Sequence, residues 1–104
     1  MELDIRIRHE AVSDRDATRD HVAARLRRAL RRMGNGLAWV VVHLDDLNGP
    51  KGGRDKRCVV RAQTTGGAYA VGEATGADAF TAVDRGLRRA LRGLRGALSG
   101  ARRR

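Results

Sequence analysis

Aromatic residues are almost absent: one Trp, one Tyr and one Phe make up 3% of the 104 residues. A protein that reads single-stranded RNA on a sheet usually stacks bases on several rings. Trp39 and Tyr69 can each expose a ring, and Phe80 falls in a helical stripe, so no such platform is expected. Cysteine is nearly absent too. Cys58 stands alone, which excludes an intrachain disulfide and suits a reducing cytoplasm. It lies in a strand-like run, where a buried inert thiol is expected. No stretch is long or apolar enough to span a bilayer. The N-terminus alternates charged and apolar residues, unlike a signal or transit peptide. Neither an internal repeat nor a linker divides the chain.

The residues of enzyme chemistry are sparse. His9, His21 and His43 show no metal-ligand spacing, and Cys58 has no partner cysteine. Each histidine is expected at the surface or at an edge. Asp45 and Asp46 are adjacent on a strand, point to opposite faces and make a poor acid/base pair. Asp14, Asp16 and Asp20 suit the dipole at a helix N-terminus. The glycine loop lacks the Gly-Lys-Ser/Thr ending of a phosphate-binding loop, and a strand follows it. No catalytic activity, metal, cofactor or small-molecule substrate is therefore expected.

Acidic residues are missing altogether after Asp84, while Arg85, Arg88, Arg89, Arg92, Arg95, Arg102, Arg103 and Arg104 follow it. The whole chain carries a net charge of +10, with arginine as nearly all of its basic residues. Guanidinium pairs with phosphate through two parallel hydrogen bonds and stacks on bases, which lysine cannot match. Such a balance points to nucleic acid, an anionic surface or an acidic protein. Abundant Arg, Ala and Gly also fits compositional drift of a genome, and a charge run fits a merely solvated helix face. At about 100° per residue, Arg85, Arg88, Arg92 and Arg95 share one side of a helix. Phe80, Val83, Leu87, Leu91, Leu94 and Leu98 share another.

The order of elements follows from periodicity. Leu3, Ile5 and Ile7 alternate with Glu2, Asp4, Arg6 and Arg8, a strand with one wet face. Ser13 offers an N-cap, and Val22, Leu26, Ala29, Leu30 and Met33 follow at helical spacing. Gly34-Asn35-Gly36 ends that helix. Leu37 to Leu44 reads as a covered strand. The segment 48–53, Asn-Gly-Pro-Lys-Gly-Gly, must be a loop. Lys56 to Thr64 predicts a third strand, with Cys58, Val60 and Ala62 on one face and Arg57, Val59 and Arg61 on the other. Thr65-Gly66-Gly67 predicts a hairpin turn, and Ala68 to Ala74 a short fourth strand. Asp78 can cap a last helix running to about Ser99.

The predicted class is α+β, ordered β-α-β-β-β-α: a four-stranded mixed sheet with two helices packed side by side on one face. Residues 1–99 form one domain, and 100–104 a frayed basic tail. The small residues Gly86, Ala90, Gly93 and Ala97 make a ridge on the last helix that can let the helices approach closely.

These features together resemble the ribosome hibernation promoting factors, also called ribosome-associated inhibitor A or ribosome-associated translation inhibitors. The likeness rests on the element order, the basic final helix, the run DLNGPKGGRDKRC from Asp46 to Cys58, and the helix entry GADAFTAVD from Gly76 to Asp84. It covers nearly the whole chain. The resemblance implies a fold related to double-stranded-RNA-binding domains. It also implies binding to rRNA of the small ribosomal subunit, in the channel between head and body, across the mRNA and tRNA sites. It assigns the rRNA contacts to Arg25, Arg28 and Arg32 of the first helix and to Arg85, Arg88, Arg89, Arg92 and Arg95 of the second. Lys51, Lys56 and Arg57, near the loop, are secondary candidates, and Asp84 is expected to hold a neighbouring arginine. The long form of the family adds a C-terminal domain that pairs ribosomes, which is not expected here, and the glycine loop is longer than in some short members. Two other readings stay open: a general binder of structured or double-stranded RNA, and an interaction module for an acidic protein.

Overall fold

A computed structural model describes residues 2–7, 15–33, 36–46 and 56–102. Its elements are β1 (Glu2–Ile7), α1 (Arg15–Met33), β2 (Leu37–Asp46), β3 (Lys56–Thr64), β4 (Tyr69–Gly76) and α2 (Ala79–Arg102). The fold is α+β, with one sheet in the order β1-β2-β3-β4. The connection through α1 makes β1 and β2 parallel, as a helical crossover allows. The later pairs, β2 with β3 and β3 with β4, are antiparallel.

Strand alternation sets the faces as the pattern predicts. Cys58, Val60 and Ala62 are buried beside Val40, Val42 and Leu44, while Arg57 and Arg61 are exposed on the opposite side. Val22 and Leu26 of α1 and Val83, Leu87, Ala90 and Leu94 of α2 close the core. Each of the Val and Leu side chains contributes about 1.5–3 kcal/mol when fully withdrawn from water. Burial in this layer pushes the Cys58 thiol up to about 12, so the lone cysteine is un-ionised and inert at neutral pH.

The β3–β4 turn is closed by the Thr64 N–H donating to Ala68 O at 2.8 Å. The Ala68 N–H returns a bond to the buried Thr64 hydroxyl at 2.9 Å. Gly67 sits at φ +96°, a left-handed conformation that suits glycine. At the start of α2, Asp78 Oδ1 accepts from the Thr81 N–H at 2.8 Å, the expected N-cap. That bond, the largest cause, holds the Asp78 carboxyl below its usual range.

Several boundaries differ from the sequence reading. β2 continues to Asp46, β4 spans Tyr69–Gly76, and α2 reaches Arg102 rather than ending near Ser99. The proposed Ser13 cap, His9, the loop at 48–53 with Lys51, and Arg103 and Arg104 lie outside the described residues.

The small-residue ridge of α2 meets the sheet, not α1. A Cβ on Gly86 would stand 3.1 Å from Cys58 Sγ and 3.2 Å from Val60 Cγ2. One on Gly93 would touch Ala70 Cβ at 3.0 Å. From the other side, a Cβ on Gly72 would collide with the α2 backbone at Gly86 O and Ala90 N. Glycine on both surfaces therefore brings helix and strand into backbone contact.

Candidate nucleic-acid interface

The two helices are tied by a polar contact at one carboxylate. His21 Nε2–H donates to Asp84 Oδ1 at 2.7 Å, and Arg25 Nε approaches the same oxygen at 3.2 Å. The His21 ring stacks on Phe80, with centroids 4.4 Å apart and planes 5° from parallel. His21 with Phe80 and Arg25 with Asp84 are contacts one helical turn apart on both elements. The helices therefore run side by side in the same direction, and residues further along both meet as well.

What meets there is arginine. A cleft between the helices is lined by Arg25 and Arg28 from α1 and by Arg88 and Arg95 from α2, with Ala29, Leu87 and Leu91 as its apolar floor. Asp84 is the one carboxylate in that lining. Arg28, Arg88, Arg92 and Arg95 are exposed, and none pairs with a carboxylate among the described residues. Asp84 already offsets Arg25, while the guanidinium groups of Arg28, Arg88 and Arg95 repel one another unless a further anion enters, because opposite charge is what lowers their energy. Planar forks on a part-apolar floor suit phosphate oxygens bonded two at a time.

The candidate arginines of α2 divide in two. Arg88 and Arg95 face α1, whereas Arg85 and Arg89 reach over the edge of β4. There the Arg85 guanidinium donates to Thr75 O at 2.9 Å and the Arg89 guanidinium to Glu73 O at 2.5 Å. These bonds occupy edge-strand carbonyls that would otherwise stay open to another chain. The angular spread of these arginines explains the split: Arg89 is displaced by about 120° from Arg95 around the axis.

Arg57 does not join the cleft. It lies on the open face of the sheet and pairs with Glu73 at 2.6 Å. Lys56 opens β3 at a partly buried position. The side chain of Arg32 lies outside the described residues, although its helix position is known.

His21, expected at the surface or at an edge, is partly exposed at the junction of the helices, where it shares Asp84 with Arg25. Its spacing of four residues from Arg25 carried the signal that both belong to one helix face. The expected role of Asp84, holding a neighbouring arginine, is what the geometry gives. Among the described residues no cluster of His, Cys, Asp and Glu could hold a metal ion. No helix among them is long and apolar enough to cross a membrane.

No protein-family model matches the chain, and no curated protein matches it in sequence. Among solved structures, the chain is similar to a ribosomal subunit interface protein from Coxiella burnetii. The likeness covers 100% of both chains, with a TM-score of 0.68 and 14% identity. At that identity it is a likeness of fold: the same helix-and-sheet framework, which here holds the arginine-lined cleft, runs the full length of a protein from the subunit interface.

Proposed function

We propose that this protein is a non-enzymatic, ribosome-associated translation inhibitor. In this reading it binds rRNA of the small subunit and fills space that mRNA and tRNA need, as a hibernation factor does. The observation that carries the reading is the convergence of Arg25 and Arg28 with Arg88 and Arg95 in one cleft, beside the exposed Arg92. The shared fold with a ribosomal subunit interface protein supports it.

The mechanism is steric and electrostatic. Cleft arginines neutralise rRNA phosphates and release their counterions, so affinity falls steeply with salt. Structured RNA presents phosphates at positions set by its A-form shape, and two parallel helices offer two matching rows of cations. The body of the domain, 50 × 22 × 17 Å in extent, then blocks the site.

The test is a charge reversal, Arg88→Glu with Arg92→Glu. Both side chains are exposed, so the variant should keep its far-UV spectrum and thermal midpoint. It should lose co-sedimentation with small subunits and no longer inhibit translation in a cell-free extract. Undiminished inhibition by the folded variant would remove α2 from the mechanism. Equal competition by a plain RNA duplex would favour a general structured-RNA binder. A pull-down that survives nuclease would favour an acidic protein partner.

A further inference from the structure

Among the described residues the helices cover one face of the sheet and leave the other open. On that open face one row crosses all four strands, because Glu2 pairs with Trp39, Trp39 with Gln63, and Gln63 with Tyr69. The Trp39 indole N–H donates to Gln63 Oε1 at 2.8 Å, which fixes both the ring and the amide. Trp39 and Tyr69 lie with ring centroids 6.0 Å apart and planes inclined by 54°. Tyr69 is 50% exposed, and so nearly is Val71 beside it at 48%. Two of the chain's three aromatic side chains thus meet on a surface that no described helix covers.

The charges around this row are unevenly settled. Arg6 is paired with Asp4 and Arg57 with Glu73. Arg61, in the next row between Val41 and Val71, is exposed and has no carboxylate partner among the described residues. His43 on the same face is held below its ordinary pKa by burial first and then by Arg6 and Arg61, with Asp4 acting against them. An unpaired cation beside two rings favours an anionic occupant with a flat apolar part. It disfavours a second copy of the same face, which would bring its own Arg61 against this one. On the β4 side, Arg85 and Arg89 carry positive charge to the rim.

We propose that the Trp39–Gln63–Tyr69 row is a binding site for an unpaired nucleobase of single-stranded RNA. The base stacks on Tyr69 against the edge of Trp39. The Gln63 amide, whose oxygen accepts from Trp39 and whose nitrogen donates one N–H to Gly67 O at 3.5 Å, presents its second N–H to the base edge. Arg61 takes the adjoining phosphate. This is a two-ring site for one or two bases, not a platform for a long strand. It uses the face opposite the interhelical cleft and does not depend on the ribosome.

Trp39 is the chain's one tryptophan, so its emission reports the site directly. The full chain is titrated with octa-adenylate and with an abasic ribose-phosphate octamer of the same length. Labelled oligonucleotide anisotropy measures binding in parallel. Octa-adenylate should quench Trp39 saturably, and the abasic octamer should bind roughly tenfold more weakly or worse without quenching. Tyr69→Ala should keep the native spectrum and lose roughly tenfold in affinity for octa-adenylate. The Arg88→Glu/Arg92→Glu variant should retain the base-dependent quench even where it no longer pellets with small subunits. The proposal is overturned if octa-adenylate fails to bind, if it binds without changing Trp39 emission, or if the abasic octamer binds equally well. An unchanged affinity in Tyr69→Ala overturns it too. So does an emission change that depends on protein concentration alone, which would assign the face to a second copy. Failure here with intact ribosome binding leaves the proposed function standing.

Discussion

Asp84 is where the structural and electrostatic demands on the cleft meet. It is one carboxylate serving two partners, the His21 imidazole and the Arg25 guanidinium, both from the other helix. Asp84→Ala should lower stability by about 1 kcal/mol, the usual net worth of a part-buried polar contact. Urea denaturation would measure this, and an unchanged midpoint would mean that the contact does not hold the helices. Asp78 acts at the start of the same helix. Its folded pKa is depressed by the Thr81 N–H, so its stabilisation is present above the ordinary carboxyl value and is lost as pH falls through the lower folded value. Asp78→Ala should therefore lower the melting temperature at pH 7, and the gap between variant and parent should close in strong acid. A gap independent of pH would show that the charge plays no part. Asp78 was legible in sequence, since an acidic residue before an apolar periodic run is a cap signal. His21 was less so. Its helical spacing was visible, but the depth at which α1 packs against Phe80 was not.

At the level of elements, α2 has three surfaces with three tasks. Its leucine and valine stripe enters the core, its glycine ridge lies on the sheet, and its arginines split between the cleft and the β4 edge. A helical wheel gives the angular order of these surfaces but not what each one meets, which is why the ridge read as a helix–helix contact. Packing against β4 depends on Gly72, whose missing side chain makes room for the α2 backbone at Gly86 and Ala90. Gly72→Ala should cost about 3 kcal/mol, at the upper end for forced overpacking, because backbone rather than a flexible side chain must move. Thermal unfolding would show this as a large drop in midpoint, and a near-normal midpoint would refute close contact between α2 and β4. Arg85 read in sequence as part of one cationic wall with Arg88, Arg92 and Arg95, and Arg89 as a further RNA contact of the same helix. Only the position of the β4 edge beneath them separates them from Arg88 and Arg95.

For the whole molecule, connection length and turn chemistry carried the topology. A helix-long crossover joins β1 to β2 in parallel, and the Thr65-Gly66-Gly67 turn joins β3 to β4 in antiparallel fashion. Strand ends were harder to place, because Asp45, Asp46 and Gly76 have low strand propensity and are held in register by their partners on β3. The meeting of Trp39 with Tyr69 was beyond local pattern. The two lie on strands that are not neighbours, and their rings meet across the Gln63 position of β3. The molecule thus presents two unlike surfaces: a cleft of guanidinium groups between parallel helices, and an open sheet with two rings. The central claim concerns the first, and the most direct measurement is co-sedimentation of the unaltered protein with purified small ribosomal subunits across a salt series. The account predicts stoichiometric pelleting at low salt and a log–log decline with a slope of about −3.6, as roughly four phosphate contacts imply, undisturbed by excess RNA duplex. Failure to pellet at low salt, or complete displacement by the duplex, would contradict it.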